Sequence, residues 1–349
     1  MDVLTPKQAL FAKAMVERSP SNVELSITTR NYSELNKFVK WIRLRNLSLG
    51  RHGGASLEKK LEASIERMHD LVPFVLGEKF DASFSFISPE AARVSFGLGI
   101  PHYICSDSPH AKAPCKLAIP LSSKIFSPFP IDQKRWSQYG IESSRVLFYH
   151  ALDPWAWLAS RRKEKSKGKG RTNANQNLVT IRLEESFASY VQSGKGISTI
   201  LSKLIQLIRK IGDFEIAVIP RYDEQRAWTM KEFGKICTVP SGVIDGADLV
   251  SKSLLMIGGG GTMTQEAALM GVPNISYFPS SNLDVFENYY FPKKLSVRAS
   301  NEQELLKETR SLLSKINDER ENFSKRASDA VSTFEDPVKF ILQRVLEDL

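Results

Sequence analysis

Four consecutive glycines occupy positions 258–261, between an apolar run and a threonine, Thr262, that begins a helical pattern. Glycine lets the backbone approach a ligand closely and adopt positive φ angles. A helix that starts directly after such a loop directs its unpaired N–H groups and the positive end of its dipole towards the same point. The residues therefore predict an anion site, of the kind that holds phosphate groups.

Glu266 adds a carboxylate four residues after Thr262, on the same face of the predicted helix. It is placed to hold the paired hydroxyls of a ribose while the helix end holds phosphates. The sequence lacks the GxxxxGK[ST] lysine, and it lacks GxGxxG with an acid about 20 residues further on. We therefore expect a nucleotide diphosphate, bound by Gly259, Gly260, Gly261, Thr262 and Glu266.

Other candidate ligands of the diphosphate follow neighbouring predicted strands, because α/β sheets bind ligands outside the carboxyl ends of their strands. Arg182 and Glu184, with Glu185 beside them, follow one strand, Arg221 follows the next, and residues 279–282 follow another. A guanidinium stays charged at any working pH and makes two charge-assisted bonds to a phosphate. Arg182, Glu184 and Arg221 are therefore predicted donor-site residues, and the alternative for each arginine is a surface pair with a neighbouring acid.

Polar residues also follow strands predicted in the first half. Asp107 and His110 lie three apart in one loop and form a candidate acid/base pair. Glu90 opens a helix, whose dipole favours an ionised carboxylate, and His52 could donate to a phosphate or act as a base near neutral pH. These four are the candidate catalytic residues, with helix capping as the alternative for Glu90 and loop contacts for His110. We expect structural roles for the other histidines, His69, His102 and His150.

Apolar, β-branched runs alternate with amphipathic helical patterns along the chain, which is typical of parallel sheets covered on both faces. The predicted fold class is α/β. Strands are predicted near residues 3–4, 23–28, 47–49, 82–87, 100–104, 146–149, 178–181, 216–219, 254–257 and 274–277. Helices are predicted after Pro6, Ser33, Ser56 and Pro89, and near residues 197–210, 224–233, 262–270 and 302–313.

Residues 160–177 are polar and basic without any apolar period, so they are predicted to be a flexible linker. They separate a first α/β domain, residues 1–159, from a second one, residues 178–335. In the last segment, residues 336–349, apolar residues fall on one helical face, as expected for a terminal helix that docks on a domain.

The formal net charge of +9 is concentrated in residues 161–171, where seven Lys or Arg accompany one Glu. The two interpretations are a mobile linker and a segment attracted to anionic lipid head groups. No aromatic residues interleave with these charges and no nucleic-acid-binding motif is present, so we expect no nucleic-acid partner.

The three cysteines, Cys105, Cys115 and Cys237, form no CxxC pair, which argues against zinc and disulfides and favours buried thiols. No apolar run approaches the roughly 20 residues of a membrane span. No signal-peptide pattern follows Met1. We expect a cytoplasmic protein, with peripheral contact at the inner membrane face if the basic run binds lipid.

Two resemblances to known families follow from these residues. The stretch 258–273 resembles the donor loop of GT-B glycosyltransferases and of UDP-N-acetylglucosamine 2-epimerase, which share Gly-Gly-x-x-x-x-Glu-Ala-x-x-x-Gly-Val-Pro. Residues 180–185 are similar to the epimerase Thr-x-His-Arg-x-Glu-Asn loop, with His and Asn replaced. Nearly the whole chain resembles an archaeal family known by a domain of unknown function, through residues 4–8, 28–30, 52–54 and 88–93.

The resemblance implies two Rossmann-like domains facing across a cleft, a ribose-binding role for Glu266, and a C-terminal helix packed on the first domain. It further implies a metal-independent glycosyltransferase without a cofactor, which moves a sugar from a nucleotide-diphosphate donor, in the first place a UDP-sugar. The first domain would hold the acceptor, a lipid-linked molecule or a glycan, and Asp107, His110 or Glu90 would take its proton. The acceptor's identity and the oligomeric state stay open.

Two other functions remain as alternatives. The acids of the epimerase first domain are not retained in register, because residues 87–90 and 101–107 read differently. A nucleotide-sugar 2-epimerase or hydrolase is therefore the second expectation. The third is a non-catalytic nucleotide-binding protein that keeps the donor loop and has lost the chemistry.

Overall fold

The chain divides into two compact units. The computed structural model describes residues 1–54, 56–166, 177–184, 197–278 and 283–349, with the side chains of residues 162–166 left out. The first unit comprises Met1–Trp157 with Glu335–Leu349, and the second comprises Leu158–Phe334.

The first unit contains a parallel sheet. Its strands are β1 (Asp2–Val3), β2 (Thr28–Asn31), β3 (Leu47–Arg51), β4 (Ser83–Ser85), β5 (His102–Cys105), β6 (Lys124–Pro128) and β7 (Val146–Tyr149). They lie in the order β3-β2-β1-β4-β5-β6-β7. The direction in which strands are added reverses between β1 and β4, and such a reversal opens a crevice at the carboxyl ends of those strands.

Helices connect these strands, as parallel pairing requires. They are α1 (Pro6–Arg18), α2 (Ser33–Trp41), α3 (Leu57–Glu78), α4 (Pro89–Gly97), α5 (Lys112–Ala118), α6 (Lys134–Ser137) and α7 (Trp155–Ser166), with 3₁₀ turns at Ile119–Leu121 and Ser143–Arg145. Thr5 and Ser88 accept hydrogen bonds from the backbone N–H groups of Gln8 and Ala91, at 3.4 and 3.3 Å. A proline follows each cap, which explains why α1 and α4 start where the sequence predicts.

The second unit repeats the α/β pattern. Its strands are β8 (Leu178–Arg182), β9 (Glu215–Ile219), β10 (Leu255–Gly258), β11 (Asn274–Tyr277) and β12 (Val297–Ala299), in the order β12-β11-β10-β8-β9. Its helices are α8 (Ile197–Ile211), α9 (Asp223–Phe233), α10 (Gly246–Lys252), α11 (Thr262–Met270), α12 (Glu302–Ser314) and α13 (Ile316–Ser332), with a π turn at Phe286–Tyr290. Here the order reverses between β8 and β10, so the crevice of this sheet lies beside the glycine loop.

The last helix, α14 (Pro337–Leu346), packs on α1 within the first unit. Asp336 caps it by accepting from the Val338 N–H at 3.0 Å, and Arg18 pairs with the same carboxylate at 3.3 Å. The apolar face of α14 is buried at Val338 and Ile341. The terminal docking helix implied by the resemblance is therefore present.

The α/β class expected from the sequence is confirmed, and all three cysteines are buried and unbonded to one another. Among the described residues, no helix is long and apolar enough to cross a membrane. Two strands, β6 and β12, were not predicted, because each is a short run with little alternation. The strand predicted over residues 23–28 begins only at Thr28.

The linker prediction for residues 160–177 needs a correction at its start. Residues 160–166 continue α7, which begins with buried Ala156, Trp157 and Leu158. Arg161 then pairs with Asp245, so this first basic residue is held in place. Lys, Arg and Glu are good helix formers, so the polar composition on which the prediction rested does not by itself end a helix that an apolar segment has started. Residues 167–176 lie outside the described part of the chain.

Candidate functional site

The glycine loop joins β10 to α11, and two of its glycines are required by the packing of the loop itself. A Cβ on Gly258 would lie 2.6 Å from Thr264 Oγ1. Gly260 has φ of +73°, and a Cβ there would lie 2.5 Å from Leu283 Cδ1. These two glycines need no ligand to explain them.

Gly259 and Gly261 are different, because neither has a positive φ and neither meets a close neighbour. The nearest atoms to an added Cβ are the Tyr277 carbonyl oxygen and Arg221 Nη2, both at 3.7 Å, which is ordinary contact. Side chains would fit at both positions in this structure. Glycine there leaves the backbone uncovered, as close approach of a ligand to the loop would require.

The start of α11 lies at the same place. Gly261 is its N-cap residue and has no side chain to bond the first N–H groups. The Arg221 guanidinium lies over this helix start, since Nη2 is 3.7 Å from the Cβ position of Gly261. The guanidinium and the positive end of the helix dipole thus place two positive groups at one point. This combination favours an anionic ligand.

Arg182 brings a second guanidinium to the loop. Its Nη1 donates to the Pro220 carbonyl oxygen at 2.6 Å, which ties the end of β8 to the end of β9. Its Cβ is 3.7 Å from the Cβ position of Gly258. The structure therefore brings together Arg182, Arg221 and the glycine loop from three strand ends, as the sequence predicts.

Glu184 has a structural partner. Its carboxylate accepts from the Ser198 backbone N–H at 3.1 Å and from the Ser198 hydroxyl, so it caps the start of α8. Its Cβ is also 4.0 Å from the Cβ position of Gly259, which keeps it at the edge of the loop. Two other expectations, Glu185 and residues 279–282, lie outside the described residues.

Glu266 lies inside the wall of the site, with 2% of its surface exposed. A Cβ on Gly246 would lie 3.2 Å from Glu266 Oε2, so the carboxylate lies against the first turn of α10. Asp245, directly before this turn, is held by Arg161. Neither Arg161 nor Asp245 was predicted to be part of this site.

In the first unit, Asp107 belongs to a buried cluster of charges. Lys7 Nζ lies 2.6 Å from Asp107 Oδ2 and 2.7 Å from Asp153 Oδ2, and Tyr149 donates its hydroxyl proton to Asp153. Ser108 Oγ donates to Asp107 at 2.8 Å. The cluster joins residues that follow β1, β5 and β7, where ligands of such sheets bind. Lys7 and Asp153 were missed, and their only sequence signal is a position after a strand.

The two carboxyls of this cluster have opposite environments. Burial by itself raises the pKa of Asp107, yet the Lys7 ammonium and the Ser108 hydroxyl outweigh it and hold that pKa below its usual value. Burial raises the pKa of Asp153, and Lys7 offsets only part of that effect. Burial alone lowers the pKa of Lys7, but both carboxylates outweigh it and raise that pKa. Asp107 is thus the carboxyl that stays ionised, and its environment also includes the charge of His110.

Glu90 and His52 lie near other strand ends. Glu90 Oε2 accepts from Ser88 Oγ at 3.2 Å. Burial lowers the pKa of Arg30, and the charge of Glu90 offsets only part of that effect. His52 Nδ1 accepts from the Gly54 N–H at 3.0 Å, and its ring is tilted by 32° against that of Tyr32, with the centroids 5.0 Å apart. Glu90 follows β4 and His52 follows β3, whereas Asp107 and His110 follow β5.

Of the remaining histidines, His102 and His150 have structural contacts and His69 is on the surface. His102 is buried between Ser83 and Ser85, at 2.5 and 3.0 Å, and burial lowers its pKa to about 3. His150 stacks on Phe129 with ring centroids 4.3 Å apart. His69 has 88% of its side chain exposed. His102 is therefore neutral at working pH.

Comparison with known sequences identifies relatives over the full length. The profile of a family described as "Protein of unknown function (DUF354)" matches residues 4–349. An uncharacterized protein of Methanocaldococcus jannaschii, MJ0665, is 29% identical over 345 residues, which cover 97% of this chain and 95% of that protein.

Comparison with solved structures identifies the fold. UDP-GlcNAc 2-epimerase of Neisseria meningitidis, solved with UDP-GlcNAc, is similar with a TM-score of 0.72 and 16% identity, covering 99% of this chain and 100% of that one. MurG of Acinetobacter baumannii is similar with a TM-score of 0.56 and 13% identity, covering 99% and 98%. Epimerases and glycosyltransferases of the GT-B fold are thus its structural neighbours, and the GT-B-like fold class is confirmed.

Proposed function

We propose that this chain, which belongs to the DUF354 family of proteins of unknown function, is a glycosyltransferase that uses a nucleotide-diphosphate sugar. The observation that carries the proposal is the start of α11, where Gly259 and Gly261 leave the backbone uncovered beneath Arg221. Two arginines, Arg182 and Arg221, and the dipole of α11 at one loop support an anion site here. A structural neighbour solved with UDP-GlcNAc supports a nucleotide-sugar ligand, and UDP is the first diphosphate to test.

In this proposal the second unit binds the donor. The diphosphate lies against Gly259, Gly261 and the N–H groups at the start of α11, with Arg221 on one side and Arg182 on the other. Negative charge grows on the leaving diphosphate as the glycosidic C–O bond breaks, and these fixed positive groups stabilise it most in the transition state. Glu266 accepts hydrogen bonds from the ribose hydroxyls.

The first unit holds the acceptor in this proposal. Asp107, His110 and Glu90 are the proposed groups that accept the acceptor's proton, and His52 is a further candidate. Asp107 differs from the others in being held ionised by Lys7, so it is ready to accept a hydrogen bond from an acceptor hydroxyl. Because its pKa is low, Asp107 is better suited to orient the acceptor hydroxyl than to take up its proton.

Calorimetric titration of UDP, GDP, CDP and ADP into the protein tests the donor site. We expect one diphosphate to bind best, and Arg221→Ala to weaken its binding by roughly tenfold to a hundredfold, because a charge-assisted hydrogen bond is lost. Arg298→Ala is the matched control, since Arg298 forms a partly exposed pair with Glu287 in the same unit. Binding of no diphosphate by the wild type would reject the donor site.

An epimerase or hydrolase is the second candidate, supported by the similarity to 2-epimerases over 99% of the chain. Incubation with UDP-N-acetylglucosamine and no acceptor separates the two. A transferase should leave the donor intact, whereas an epimerase or hydrolase should convert it, as read by NMR of the anomeric proton. Tight diphosphate binding without turnover in any assay would favour the third candidate, a non-catalytic nucleotide-binding protein.

A further inference from the structure

Arg161, in the middle of α7, is held in one orientation by Asp245. Its Nη1 donates to Asp245 Oδ1 at 2.9 Å and its Nη2 donates to Oδ2 at 2.8 Å. Asp245 Oδ1 also accepts from the Asp248 N–H at 3.1 Å, which caps α10. A two-pronged pair of this kind fixes direction as well as distance. The Arg161–Asp245 pair therefore sets the position of the first turn of α10.

That first turn touches Glu266. Gly246 directly follows Asp245, and its missing side chain makes room for the carboxylate, since an added Cβ would lie 3.2 Å from Glu266 Oε2. Burial alone lowers the pKa of Arg161, but the carboxylates of Asp245, Glu266 and Asp248 outweigh it and raise that pKa. Arg161 is thus a cation near a carboxylate that is 2% exposed, and a buried carboxylate is costly without such compensation.

We propose that Arg161 is a positioning residue which, through Asp245 and the start of α10, orients Glu266 towards both hydroxyls of a ribose. The inference rests on the donor site proposed above and names its substrate class, which is ribonucleoside diphosphates in preference to 2′-deoxynucleoside diphosphates. A carboxylate that is already held in one orientation accepts two neighbouring hydroxyls at a lower entropic cost. In this proposal the Arg161–Asp245 pair supplies that restraint through the first turn of α10.

The test compares two ligands on variants of the whole chain. The ligands are the ribonucleoside diphosphate that binds best and its 2′-deoxy form, and the readout is the ratio of their dissociation constants by calorimetry. The wild type should prefer the ribonucleotide by about tenfold or more, because one hydrogen bond to a charged group is at stake. Arg161→Met should bring the ratio close to one, and Arg161→Lys, which keeps the charge without the fork, should restore only part of it.

Two further variants separate positioning from stability. Lys203→Met removes an exposed pair with Glu302 in the same unit and should leave the ratio unchanged. Asp245→Asn keeps a good helix cap while it removes the charge that Arg161 binds, so it should lower the ratio like Arg161→Met. It carries the test if Arg161→Met does not fold.

The outcomes distinguish this inference from the donor site on which it rests. If the wild type binds a diphosphate with a ribose preference and both Arg161→Met and Asp245→Asn keep that ratio, the positioning role is overturned while the donor site stands. A wild type that binds ribo and deoxy forms equally also overturns it. If the wild type binds no diphosphate, the donor site and this inference fail together.

Discussion

At the scale of single residues, Lys7 stabilises two buried carboxylates. It is the shared partner of Asp107 and of Asp153, whose side chain is 1% exposed. Lys7→Met should lower the free energy of unfolding at neutral pH by about 3–5 kcal/mol, the cost of leaving a buried charge uncompensated. Urea unfolding, followed by the fluorescence of the tryptophans in the first unit, measures the change in the free energy of unfolding. Lys203→Met, at an exposed pair, should cost at most about 1 kcal/mol.

The pH dependence of that cost follows from the same cluster. Without the ammonium, the pKa of Asp107 should rise above its value in the unfolded chain, about 4, and the pKa of Asp153, which burial already raises, should rise further. A raised folded pKa gives stability that is present at low pH and lost as pH rises. The deficit of Lys7→Met should therefore shrink between neutral pH and about pH 5. A deficit that stays constant over this range would show that lost packing, not charge, is responsible.

At the scale of elements, the β10–α11 loop uses its glycines for two purposes. Gly260→Ala should lower the free energy of unfolding by about 1–2 kcal/mol, because its φ of +73° disfavours a side chain. Gly259→Ala should leave the stability nearly unchanged and weaken diphosphate binding, because its methyl group projects where the ligand approaches the backbone.

These two variants form a matched pair, one residue apart, with denaturant unfolding and calorimetry as the readouts. Equal diphosphate affinity in Gly259→Ala and the wild type would contradict the close approach of a ligand to this loop. The distinction between the glycines cannot be made from four identical letters, since it depends on Leu283 and Arg221, which lie elsewhere in the chain.

At the scale of the whole molecule, the positive charge is concentrated in one basic segment. Residues 162–171 carry most of its positive excess, and their side chains lie outside the described part of the chain. We propose that they attract anionic membranes, where each Lys or Arg near the surface contributes about 1 kcal/mol. The protein should co-sediment with phosphatidylserine vesicles at low salt and not with phosphatidylcholine vesicles.

Replacement of the Lys and Arg residues at 162–171 with Ser should abolish this co-sedimentation. Arg161 is retained in that variant, because it pairs with Asp245 and its loss would confuse membrane binding with the donor site. Equal sedimentation of the variant and the wild type would leave the segment with the role of a tether only.

Local sequence patterns predicted much of the fold. The caps of α1 and α4 and the glycine loop before α11 were predicted because their signals lie within a few residues of one another. The elements that were not predicted lack such a local signal. Strand β12 is three residues long with two of them partly exposed, so it has no period to detect. Residues 160–166 are polar in isolation, yet they continue the helix that starts at Trp155, and Arg161 in that helix pairs with Asp245, 84 residues further on.

The sequence by itself determined the α/β class and predicted an anion loop with Arg182, Arg221 and Glu266 beside it, because strand ends and glycines report backbone geometry directly. Only the tertiary structure decided which glycines the packing of the loop requires, that Glu184 caps α8, and that Glu266 lies against α10. It alone paired Lys7 with Asp107, 100 residues away, and Arg161 with Asp245. The physical reason is that a charge chooses its partner by distance and burial in the folded chain, and neither is recorded in the spacing of residues along it.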